Sequence, residues 1–77
     1  MNSAEWGAQT AAEYVERALE MLEDAASRLR LAAAYMPDEM FRRNPDRAEA
    51  KAIEHEVLRL MRRLSRVETE HLERVTP

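Results

Sequence analysis

Glu68 and His71 are the pair in this chain whose spacing suits metal ligation. A Glu-x-x-His pair on a helix points both groups to one face. Di-iron and di-manganese carboxylate bundles carry that pair on two helices and a further Glu on each of two others. Two copies of a helical hairpin could match that count. The first half of the chain, however, keeps Glu13, Glu16, Glu20 and Glu23 off its apolar seam. His71 is therefore expected to be half-buried and hydrogen-bonded to Tyr14 or a carboxylate. Glu68 and His71 remain the metal candidates, and no metal or cofactor is expected.

Other groups suggest less chemistry. His55 sits between Glu54 and Glu56, all three expected on a solvated outer face. The serines are Ser3, Ser27 and Ser65, and none has a histidine at helical spacing to act as its base. One glycine cannot make a phosphate-cradling loop, and the absence of cysteine removes thiolate chemistry and the common zinc cages. Tyr14 and Tyr35 read as packing residues. No residue qualifies as catalytic, so the chain reads as non-enzymatic. Arg59, Arg62, Arg63 and Arg66 cluster on one side of the second half, and with Arg42, Arg43 and Arg47 could meet phosphates. No helix-turn-helix spacing and no interleaved aromatics accompany them. They are expected to pair with Glu20, Glu23 and Asp24, which leaves nucleic-acid binding as the second reading.

The elements that would position these groups follow from periodicity. Ala11, Val15, Ala18, Leu22, Ala25, Leu29, Ala32 and Met36 recur at alternating steps of four and three. Ala50, Ile53, Val57, Leu60, Leu64, Val67 and His71 do the same. Each is a heptad seam. The chain is therefore predicted to be all-α: an antiparallel hairpin of two long helices in a single domain over 1–77, with helix 1 at about 4–35, a turn at 36–44 and helix 2 at about 45–74. Ser3 and Thr10-Ala11-Ala12-Glu13 are the candidate starts. Met36-Pro37 stops the first helix, and one helical turn from Pro37 is the expected connection. Asn44-Pro45-Asp46 starts the second helix, as cap, first residue and first-turn acid. A turn near residue 40 makes the numbers of facing residues add to about 80, pairing Leu29 with Ile53 and Ala11 with His71.

Alanine at alternate seam positions lets the backbones approach closely. The small-residue hairpin resembles the Rop-type bundle in architecture alone; no motif ties the chain to that family. Apolar residues also run beside both seams: Ala12, Leu19, Ala26 and Ala33; Tyr14, Met21 and Tyr35; Leu58, Met61, Leu72 and Val75. One antiparallel partner cannot cover that width. A chain of this size without disulfides also lacks a large core. The expected remedy is a homodimer forming a four-helix bundle or coiled coil, with Leu19, Met21, Leu58, Met61 and Leu72 in its interface.

Twelve bases against fifteen acids give a formal charge of −3, against general polyanion binding. Residues 1–36 hold six acids and three bases, and residues 37–77 hold nine of each. The segment Met1–Gly7 lacks the basic and apolar regions of a secretion signal, and no run approaches the roughly 20 apolar residues that span a bilayer. A cytoplasmic protein without membrane contact is expected. The arginine and alanine richness suggests a GC-rich bacterial or phage genome. The function expected is that of a small regulator, inhibitor or adaptor that binds another protein. Its candidate contacts are Trp6, Met40, Phe41, Arg42 and Arg43, or Arg59, Arg62, Arg63 and Arg66.

Overall fold

The computed structural model describes residues 3–75. Two helices, α1 (Ser3–Ala34) and α2 (Pro45–Val75), lie side by side. His71 meets Ala8 at one end and Arg47 meets Ala33 at the other, so they run antiparallel. The result is a rod of 63 × 15 × 11 Å. The side chains of Ser3, Ala4, Glu5 and Val75 lie outside the described residues, and with them the expected Ser3 cap and the place of Val75.

Local chemistry explains the ends. Thr10 does not cap α1; the helix has already begun, and its Oγ1 donates instead to the Trp6 carbonyl at 2.9 Å. At the far end the Tyr35 amide is shared between the Leu31 and Ala32 carbonyls at 3.2 and 3.1 Å, and the Met36 amide donates to Ala33 at 3.1 Å. This tightened last turn stops at Pro37, which has no amide hydrogen to continue it. The last turn of α1 has no base of its own. Arg47 of α2 supplies one, donating from Nη1 to the Ala33 carbonyl at 3.2 Å, where the helix dipole favours a cation. The start of α2 follows its sequence signal: Asn44 Oδ1 accepts from the Asp46 and Arg47 amides at 3.0 and 3.4 Å.

The connection is not the expected helical turn. Glu39 and Arg42 exchange both backbone hydrogen bonds, Glu39 N to Arg42 O at 2.9 Å and the reverse at 3.2 Å. That leaves Met40 and Phe41 as the two central residues of a tight turn. Among the described residues none has positive φ, so the turn needs no glycine. The Asn44 amide donates to Asp38 Oδ1 at 2.7 Å and closes the loop onto the start of α2.

The contact between the helices differs from the expected seam by a rotation of both. On α1 the buried residues are Ala26 and Ala33, with Ala8, Ala12, Val15, Ala18, Leu19, Leu22, Ala25 and Leu29 half-buried, while Ala11 and Ala32 are exposed. On α2 the inward line is Arg47, Ala50, Glu54, Val57, Met61, Leu64, Glu68 and His71. Ile53, Leu60 and Val67 are 39, 45 and 51% exposed. In each helix alternate positions of the expected seam stay inward, and the most buried positions between them lie one residue later than expected: Ala26 and Ala33 on α1, Glu54, Met61 and Glu68 on α2. The physical reason is polar. Arg47, Glu54 and His71 all reach α1 from α2's inward line, Arg47 and His71 at the Ala33 and Ala8 carbonyls and Glu54 at Arg30. Glu54, expected on the outer face, is the buried charged residue at 8% exposure.

Two measurements check this arrangement. Ala33→Leu, at the helix contact, overpacks it and is expected to cost about 1–3 kcal/mol in chemical denaturation. Ala34→Leu, one residue on and exposed, should change stability by less than about 0.5 kcal/mol. Gly7→Ala adds a methyl that meets open space and removes a helix-interior glycine. It should raise the thermal midpoint, stabilising by at most about 1 kcal/mol.

Candidate functional site

The turn between the helices presents the most exposed large apolar pair in the described residues. Met40 is 88% and Phe41 94% exposed. Neither is loosely held. Their backbone sits between the reciprocal Glu39–Arg42 hydrogen bonds. The loop behind them is pinned by Asp38 to the Asn44 amide and by Arg47 to the Ala33 carbonyl. Arg42 and Arg43 are exposed beside them, and a shallow cleft lined by Pro37, Glu39, Arg42, Arg43, Asn44 and Pro45 lies behind the tip. The structure thus gathers Met40, Phe41, Arg42 and Arg43 into one surface. Trp6 is also exposed, but on the first turns of α1 at the opposite end of the rod, and shares no site with them.

Arg59, Arg62, Arg63 and Arg66 are all exposed along α2. The expected pairing with Glu20, Glu23 and Asp24 is not made. Ion pairs among the described residues join Arg28 to Asp24 at 2.8 Å, Arg30 to Glu54 at 3.0 Å and Arg74 to Glu70 at 4.0 Å. Asp24 is engaged by its own helix neighbour, and the α2 arginines face solvent.

Glu68 and His71 are half-buried on the inward line of α2. His71 finds neither Tyr14 nor a carboxylate: its Nε2 donates to the Ala8 carbonyl at 2.9 Å. One of its two ring nitrogens is thus engaged. Among the described residues, no three histidines or acidic residues come together as a metal cage. His71 ties the open ends of the two helices.

Of the residues expected at an interface with another chain, Leu19 and Met61 are half-buried along the contact within one hairpin, and Leu58 is half-buried beside it. Met21 and Leu72 are exposed. An open groove of about 470 Å³ lies on one side of the rod, lined by Leu22 of α1 and by Leu60, Leu64 and Val67 of α2 together with Arg63, Arg66 and Glu70. Periodicity assigned Leu60 and Val67 to the inner seam and so did not mark them as surface. The buried Glu54 also carried no sequence signal, because an acid argues for solvent. No described helix is long and apolar enough to cross a membrane.

Comparison with protein-family models, with curated proteins and with solved structures finds no match.

The Arg30–Glu54 pair gives an asymmetric prediction. Arg30→Met strands a buried carboxylate and should destabilise the hairpin by about 1 kcal/mol or more. Glu54→Met removes the buried charge and should be neutral or stabilising. Urea denaturation of both variants measures the difference; equal losses would mean that burial of Glu54 costs nothing.

Proposed function

We propose that the chain is a non-enzymatic interaction protein, a regulator, inhibitor or adaptor, that binds another protein through the Met40–Phe41 turn. One observation carries this reading: two adjacent large apolar side chains stand almost wholly in water on a backbone that is already fixed. Exposing such a pair costs solubility, and nothing in the packing of the hairpin uses it. A pre-ordered loop loses little conformational freedom on binding. Aromatic and arginine side chains are the common anchors of protein interfaces, and methionine adapts to irregular pockets. Arg42 and Arg43 would form the polar rim and favour an acidic edge around an apolar pocket. A cysteine-free chain in which no described helix could cross a membrane fits action in the cytoplasm.

The second reading, a nucleic-acid regulator, draws on the exposed and unpaired arginines of α2. It lacks aromatic groups between them for stacking and works against a net negative charge.

A photo-crosslinking phenylalanine analogue at position 41 in the native host should trap one discrete protein. A Met40→Ser change in that background should weaken the product while leaving helicity and thermal midpoint unchanged, since the side chain packs on nothing. No protein product, together with a salt-sensitive shift of RNA or DNA that Arg62→Glu and Arg66→Glu abolish, would replace the first reading with the second.

A further inference from the structure

We infer that the open apolar side of the rod is covered by a second copy of this chain, and that the two copies lie with their Met40–Phe41 turns at the same end. This goes beyond the reading of the turn as a binding tip and does not depend on it.

The face is defined by the rotation of the helices. Ile53, Leu60 and Val67 each precede an inward residue of α2 by one position. Ala11, Ala18, Ala25 and Ala32 do the same on α1. In an antiparallel pair, a shift of the same sense on both helices turns both strips to the same side of the rod. The groove shared by Leu22, Leu60, Leu64 and Val67 lies on that side. The apolar strip runs about 32 Å along α1, from Ala11 to Ala32, on a side of the rod where the two helices lie together for about 45 Å at 1.5 Å per residue and which is about 15 Å wide. A hairpin laid on it would cover on the order of 700 Å² on each copy, close to the roughly 800 Å² per partner of a stable interface.

The occupant follows from complementarity. The face is small on one helix and large on the other, so it fits its own copy when the α1 strip meets the partner's α2 strip. A twofold axis parallel to the helices does this and keeps every residue at its own level. Residues at one level have numbers that add to about 80, as Ala33 with Arg47 and Ala8 with His71 show. The partner's Leu60 then stands level with the gap between Ala18 and Ala25, its Ile53 with the gap between Ala25 and Ala32, and its Val67 with the gap between Ala11 and Ala18. Large groups enter spaces left by small ones. On the flank, Arg28 falls between the partner's Glu49 and Glu56. A twofold axis perpendicular to the helices instead stacks alanine on alanine and sets the large strip against itself, leaving one edge loose and the other crowded. The parallel axis therefore gives a four-helix bundle that carries two apolar turns side by side at one end.

The chain has no cysteine, so Arg43→Cys carries a single nitroxide label near the turn. Sedimentation equilibrium of the labelled protein at micromolar concentration should give a dimer. Pulsed electron–electron resonance should then give a label separation of roughly 15–30 Å, set by interhelical spacings of 8–10 Å and the label arms. A monomer would overturn the proposal, whatever other chain then covered the face. A dimer with labels about one rod length apart, near 63 Å, would overturn the same-end arrangement. Leu60→Glu should shift the sedimentation profile to monomer, whereas Arg62→Glu on the same helix should leave the dimer intact. Dimers that survive Leu60→Glu would show that another surface holds them.

Discussion

Everything in this molecule depends on the way two alanine-lined helices are held together by polar ties. Ala26, Ala33 and Ala50 are the buried apolar residues of the described chain, and no large side chain is wholly buried. Alanine contributes little burial of its own, since the hydrophobic gain scales with area removed from water. Its contribution is proximity: small side chains let the helix axes close to the short end of the usual range. At that distance a side chain of one helix can reach the backbone of the other. His71 and Arg47 do so at the two ends, and Arg30 meets Glu54 between them. Directional bonds of this kind fix the rotation of each helix about its axis, which a non-directional apolar contact would leave free to slip.

The rotation has consequences for the surface. A helix carrying a wide apolar face has more than one way to pack, and the polar ties choose the one that leaves Ile53, Leu60 and Val67 half in water. The inner contact thereby becomes thin, and the outer face becomes large. The same bonds order the turn. Arg47 joins the start of α2 to the end of α1, Asp38 draws in the Asn44 amide, and the four residues 39–42 close on themselves. The apolar tip is the part of the chain that these bonds hold out from the helices. Interaction surface and stability are in this sense one problem: the groups that hold the hairpin also decide which groups it cannot shelter.

Much of the fold was legible in the sequence. Heptad spacing marked two helices, Met36-Pro37 marked the end of the first, and Asn44-Pro45-Asp46 marked the start of the second, because each signal is local and its physics is local. The facing of the helices was legible only in part. Val15, Leu22 and Leu29 on α1 and Val57 and Leu64 on α2 belong to both candidate lines, so periodicity found them. The other line of each seam was misplaced by one residue, because a count of apolar positions prefers Ile53 over Glu54 and Leu60 over Met61. No such count can know that Glu54 will be matched by Arg30 or His71 by a backbone carbonyl. Of the two candidate starts the helix takes the earlier, at Ser3, and the capping pattern at Thr10 goes unused because it is only local. At the candidate site, Met40, Phe41, Arg42 and Arg43 were legible as a group because they fall between two helix boundaries. The tight turn that displays them was not, since it depends on a hydrogen bond accepted by Asp38 and one donated by Arg47 that no spacing rule encodes.

The rotation of the helices can be measured directly by methyl nuclear Overhauser spectroscopy on labelled chain diluted into excess unlabelled chain, so that only contacts within one hairpin appear. This rotation requires strong cross-peaks from the Ala26 and Ala33 methyls to α2 side chains, and none from Ala32. Cross-peaks from Ala32 with silence from Ala33 would restore the simple apolar seam, return Ile53 and Leu60 to the interior, and remove the open face on which the account rests.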